Sequence, residues 1–252
     1  MKKILMITAS VLLLITFIPN VNAQEEEESS WNAGLDIYSS YIWRGAKFGS
    51  GPAFQPSVSF STGGFEIGAW GSVNSSTDEA FEMDLYASYA IGGLTIGLTD
   101  YYFGGDWTEY KTMHYLEPSL SYGVGGFSIS AYYMFLAGSD AMPAIAGSPA
   151  MVDLNTGVFT PAVEGMDAVE ATNFGSSGDL YLEAGYSFSS VSLALGAGNG
   201  QYTSDGDFSI CNLSVGTSKE VKLTESFSLP VSGAVILNPS TGGFFITVGI
   251  SL

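Results

Sequence analysis

His114 is the single histidine of this 252-residue chain, and hydrolytic chemistry would have to start from it. An imidazole becomes a general base when a nucleophile and an orienting carboxylate lie within hydrogen-bond reach. Ser119 and Ser121 follow it at odd separations, which puts them on the other face of a strand. No serine stands in a Gly-x-Ser-x-Gly setting. The expectation is an aromatic-like ring near one rim, with no catalytic role. Cys211 is alone, so it forms no intrachain disulfide, and no second Cys or His at ligand spacing supports zinc. It is expected as a small hydrophobe on an outward apolar face. No cofactor is called for.

The charged residues are more informative as a set. Asp36, Glu66, Glu82, Asp84, Glu117 and Glu183 all fall in the phase opposite the apolar stripes of their segments, and Arg44 joins them as a base. These seven are the expected lumen-lining residues. Two uses fit them equally. A conduit lined by carboxylates favours cations over anions. Alternatively, the acids pair with Arg44, tyrosines and water to fill the inside.

The elements that must carry these residues show the period of strands. Trp31, Ala33, Leu35, Ile37, Tyr41 and Trp43 form the first stripe, with Asn32, Asp36, Ser40 and Arg44 opposite. Further stripes run through Phe54 to Phe60, Phe65 to Val73, Phe81 to Ile91, Leu94 to Leu98, Leu116 to Val124 and Phe127 to Phe135. The last five are Leu180 to Phe188, Val191 to Ala197, Cys211 to Val215, Phe227 to Leu237 and Phe244 to Leu252. Their connections alternate in length. Thr62-Gly63-Gly64, Gly92-Gly93, Gly125-Gly126, Ser189-Ser190 and Lys222 to Ser226 are short. Gly45 to Gly51, Asn74 to Glu79, Asp100 to Met113, Leu136 to Asp179, Gly198 to Asp207 and Asn238 to Gly243 are longer. Membrane barrels sort their loops this way, with short periplasmic turns and longer extracellular loops. Aromatics also cluster near strand ends in two belts, while Leu35 and Ile37 lie between Trp31 and Tyr41. The predicted fold is all-β, a transmembrane antiparallel up-and-down β-barrel of twelve strands over residues 31–252.

Composition agrees. Glycine is abundant at 32 residues, and only 13% of residues are charged. Lys2 and Lys3, the apolar run from Ile4 to Ile18, and Val21-Asn22-Ala23 predict a signal peptide over residues 1–23. Residues 24–30, with four glutamates, are expected as an acidic periplasmic tail. Removing two of the seven bases leaves five against 25 acids, a formal −20. That charge argues against a nucleic-acid partner. The expected partners are outer-membrane lipid and small polar or cationic solutes. The 136–179 connection holds Pro143, Pro149 and Pro161, the acids Asp140, Asp153, Glu164, Asp167 and Glu170, and no Lys or Arg. It is expected as a long extracellular loop, either a lid over the mouth or a solvated flap. No EF-hand spacing is present in it.

The stretch Ser39-Ser40-Tyr41-Ile42-Trp43-Arg44-Gly45, then Pro52-Ala53-Phe54-Gln55-Pro56, resembles the opening of the TorF-type porin family. Members carry a Ser-x-Tyr-x-x-Arg-Gly signature at the end of their first strand. Gly63 to Trp70 looks like their third strand. The resemblance covers the first fifth of the chain and implies an outer-membrane barrel for passive transport. The leading functional expectation is therefore a porin for small polar solutes with a preference for cations. The alternative is a non-conducting surface barrel that binds a partner or ligand through its extracellular loops. A barrel-embedded hydrolase using His114 is the third and weakest.

Overall fold

The computed structural model describes residues 29–75, 81–137, 151–153, 158–160, 178–225 and 227–252. The expected signal segment, most of the acidic tail and most of the 136–179 connection lie outside the described residues. Twelve antiparallel strands close into a barrel. In chain order these are β1 (Ser30–Tyr38), β4 (Ala53–Thr62), β5 (Phe65–Asn74), β6 (Phe81–Ile91), β7 (Leu94–Tyr102) and β8 (His114–Val124). They continue with β9 (Phe127–Leu136), β12 (Asp179–Phe188), β13 (Val191–Gly198), β14 (Ser209–Lys222), β15 (Ser228–Asn238) and β16 (Gly243–Ser251). Each pairs with its neighbour in sequence. The seam is closed where Asp36, Ile37 and Tyr38 meet Ser251, Ile250 and Gly249. Two small hairpins stand apart from the ladder: β2 (Tyr41–Trp43) with β3 (Ala46–Phe48), and β10 (Met151–Asp153) with β11 (Val158–Thr160). The β10–β11 backbone approaches β3. One helical turn, α1 (Tyr110–Met113), precedes β8. No helix among the described residues is long and apolar enough to cross a membrane.

The turns explain the closure. Ile91 pairs with Leu94, so Gly92-Gly93 is a two-residue hairpin loop with φ of 56° and 86°. Positive φ at both positions is the type I′ geometry, whose twist matches that of the flanking strands. The Gly63-Gly64, Gly125-Gly126 and Ser189-Ser190 connections are equally short. All of them lie at one end of the barrel with the 223–227 connection, and the other end carries 239–242 and the longest connections.

The apolar stripe faces outward. Ile246 is 63% exposed, and Ile96, Leu98, Leu120, Leu195 and Val248 are exposed with it. The acids occupy the inward phase. Glu117 is only 2% exposed, and Glu82 and Asp84 are also buried. The interior has two halves. Toward the short turns the wall carries small residues such as Ser59, Ser88, Gly97, Ser121, Ser130 and Gly185, with Tyr86 reaching Glu66 and Ser59 among them. Toward the long loops it is filled by rings, including Tyr38, Tyr41, Trp43, Trp70, Tyr101, Tyr132, Tyr181 and Tyr202.

Two outward assignments are overturned. Tyr41 and Trp43 do not extend the first strand along the outer face. β1 stops at Tyr38, the chain bends at Ser39-Ser40, and β2–β3 turns inside, where both rings are buried. Cys211 also faces in, at 0% exposure. Gly196 pairs with Asn212, whereas Ala197 pairs with Ile210, so Cys211 is the extra residue of a bulge. A bulge resets the alternation: Ile210 and Leu213 are both exposed, and Cys211 and Asn212 both point inward. The expected result is that a bulky maleimide leaves Cys211 unmodified in the folded, lipid-reconstituted chain and labels it fully after denaturation. Rapid labelling of the folded chain would restore the outward placement.

Candidate functional site

The inner hairpin is the centre of the site. Trp43 pairs with Ala46, so Arg44-Gly45 is its two-residue loop. Their φ values are 49° and 82°, the type I′ combination again. Gly45 is required twice over. Its φ is left-handed, and a Cβ there would lie 2.0 Å from the Cys211 carbonyl oxygen. Arg44 holds the same left-handed region at a cost of order 1 kcal/mol, so its surroundings must hold it there.

They do so mainly through polar contacts. Asn238 Nδ2 donates to the carbonyls of Gly45 and Tyr202, both at 3.3 Å. Asn74 Nδ2 donates to Phe48 O at 3.0 Å, and Thr247 Oγ1 donates to Ser40 O at 3.0 Å. Rings add to this: Tyr41 meets Trp70 edge-on at 5.7 Å, and Trp43 meets Tyr101 edge-on at 5.9 Å.

The Arg44 guanidinium is the end of the hairpin and is buried. Nη1 donates to Glu117 Oε2 at 2.5 Å, and Nη2 donates to Oε1 at 2.9 Å. This two-pronged fork is the strong form of an arginine–carboxylate pair. Nη1 also donates to the Tyr202 hydroxyl at 2.7 Å, and the Tyr101 hydroxyl donates to Glu117 Oε1 at 3.0 Å. Arg44 Cζ lies 4.4 Å from the Trp43 ring centroid, 4.1 Å from Tyr132, 4.6 Å from Tyr181 and 5.5 Å from Tyr202. Desolvated contacts of this kind are worth up to ~2 kcal/mol each. The result is an aromatic cage with a carboxylate floor, built on β7, β8, β9, β12 and the 3-10 turn Gly200–Tyr202.

The remaining predicted lumen residues are dispersed. Glu82 meets the Tyr41 hydroxyl, and Asp84 is buried nearby with Oδ1 unpartnered. Glu183 Oε2 accepts from the Tyr181 hydroxyl at 2.7 Å and from Asn212 Nδ2 at 3.3 Å. Glu66 lies beside the Gly63-Gly64 turn. Asp36 lies opposite Gln55 and Ser251 in the neighbouring strands. Of the six acids, the structure brings Glu117 onto Arg44. Among the described residues, no group of three His, Cys, Asp or Glu could hold a metal.

His114 lies outside the barrel, under the segment before β8. Nδ1 is 2.9 Å from Asp100 Oδ1, and Nε2 is 3.2 Å from the Trp107 carbonyl. Tyr102, Trp107 and Tyr110 pack their rings around it at 5.2, 4.5 and 4.6 Å, leaving it 0% exposed. Both nitrogens are engaged, so none is free to take a proton from a nucleophile. The imidazole fastens the 103–113 segment to the wall. Nearby, the Thr108 hydroxyl and amide hold the exposed Asp106 carboxyl below its usual range.

Sequence reasoning missed Tyr101, Tyr132, Tyr181, Tyr202 and Asn238. A signal was present for some of the rings. Tyr101-Tyr102 and Tyr132-Tyr133 place one ring on each side of the wall, and the first ring of each pair has no use in a lipid-facing stripe.

A protein-family model described as "Bacterial protein of unknown function (Gcw_chp)" matches residues 22–229. That description names no TorF-type family. No curated protein matched the sequence. Solved structures that resemble the chain include the Salmonella typhi outer membrane phospholipase (OMPLA) dimer with bound calcium, at 11% identity and TM-score 0.38, over 89% of this chain and 88% of that one. A mutant Rh. blastica porin matches at 10% identity and TM-score 0.37, over 89% and 99%. Pseudomonas aeruginosa OccK9 (OpdG) matches at 14% identity and TM-score 0.34, over 90% and 57%.

Proposed function

Because the chain belongs to the Gcw_chp family of bacterial proteins, described without an activity, we propose its function from geometry: an outer-membrane barrel that passes small polar solutes, prefers cations, and rests closed. The observation that carries this is the β2–β3 hairpin, which stands inside the barrel without joining its ladder. A wall completed by twelve other strands does not need it. The outward apolar stripe suits acyl chains, and a closed barrel is the strand form that lipid admits. The signal segment at residues 1–23 supplies export. The inward acids supply the preference for cations.

The test removes the stopper and keeps all twelve strands of the wall. Tyr38 and Ala53 are directly opposed partners, so residues 39–52 can be replaced by a two-residue Asn-Gly turn. In planar bilayers the wild-type chain is expected to be silent or to open rarely. The shortened chain is expected to carry a steady current, with potassium favoured over chloride. Silence from both would overturn transport and leave the surface barrel that binds through its loops.

A further inference from the structure

We propose that the cage around Arg44 is a binding site for guanidinium-bearing solutes, and that Arg44 is its built-in occupant. The inference rests on the closed-barrel reading and names the ligand class of the same site. Three of the four rings and the carboxylate belong to the wall and its loop, while only Trp43 travels with the hairpin. Withdrawing β2–β3 would leave Glu117, Tyr132, Tyr181 and Tyr202 as a preformed socket. Its chemistry selects one cation class. Glu117 takes two parallel N–H bonds in one plane, which a guanidinium supplies and an ammonium does not. The rings stack on a flat, weakly hydrated cation. Arg44 Nε has no partner, so the socket grips the two terminal nitrogens and makes no demand on the side that leads to the chain. A free guanidinium with any substituent there meets the same contacts.

Competition sets the concentration scale. A tethered occupant acts at an effective concentration in roughly the millimolar range for a short link. A solute with the same head group must reach that range to displace it, and displacement unseats the hairpin. Guanidinium solutes thus act as ligands that open the barrel.

The experiment empties the socket with R44A in detergent micelles. Millimolar guanidinium is expected to raise the Tm of R44A by about 3–5 °C at tenfold excess over its Kd and to alter Trp43 fluorescence. Tetramethylammonium, ammonium and sodium at equal ionic strength are expected to do neither. The double variant R44A/E117Q should lose the response. Equal shifts with every cation, or none with guanidinium, overturn the proposal. If R44A does not refold, the wild-type chain serves instead: tens of millimolar methylguanidinium should raise tryptic cleavage after Arg44 and Lys47, and unchanged cleavage overturns it. The two readings fail separately. Guanidinium binding with no current from the shortened barrel removes transport and keeps the socket. Current from that barrel with no guanidinium response removes the socket and keeps transport.

Discussion

Replacing Glu117 with Gln is expected to unseat the β2–β3 hairpin while leaving the barrel folded. The substitution keeps shape and volume but leaves the buried Arg44 charge without its counter-ion. Breaking a buried, hydrogen-bonded pair by removing one partner costs about 3–5 kcal/mol. The lower figure corresponds to a roughly hundredfold larger unseated population. Tyr101 also loses the carboxylate to which it donates at 3.0 Å. The wall survives because its ladder uses the backbone of Glu117, paired to Thr99 on β7. Trypsin reads the result directly, since Arg44 and Lys47 both lie in the hairpin. Cleavage after these residues in the reconstituted chain should accelerate about as much as the population grows. Ser119→Ala, two residues away in the same inward phase, should cleave like the wild-type chain. Equal cleavage rates for Glu117→Gln and wild type would mean that the fork does not hold the hairpin.

The hairpin's dependence on long-range contacts sets the limit of what is legible in the sequence. The wall was legible because its determinants are local. Gly92-Gly93 dictates its own turn, and the stripe from Phe81 to Ile91 dictates its own two faces. Alternation cannot say which medium each face meets, so Tyr41 and Trp43 look the same whether they face lipid or lumen. The distinguishing mark was Ser39-Ser40, which interrupts the stripe before Tyr41. Cys211 failed for a different reason. One extra residue inverts the phase of everything before it, and the sequence from Ile210 to Leu213 carries no punctuation at that point. The inward phase of the acids follows from alternation within each strand. The meeting of Arg44 with Glu117 does not, because 73 residues and the curvature of the whole barrel separate them. Asn238 is further still from the hairpin it fastens, 193 residues from Gly45.

The direction of the apolar face has its own test. Leu98 lies midway along β7, between Ala87 on β6 and Pro118 on β8, and points outward. Ile91 points outward too, at 62% exposure, but stands at the Gly92-Gly93 turn. In lipid these positions differ in depth, and an arginine costs about 2–4 kcal/mol at the midplane against roughly 0–1 near the interface. Leu98→Arg should therefore lower the unfolding free energy in lipid vesicles by about 2–4 kcal/mol, with Ile91→Arg close to wild type. Denaturant titration followed by tryptophan emission measures both. If water instead bathed the outer face, both arginines would be solvated and the two variants would unfold alike. A difference that tracks depth requires acyl chains around the strand. It would also set the inward acids and the Arg44 cage inside a wall whose outer face meets lipid.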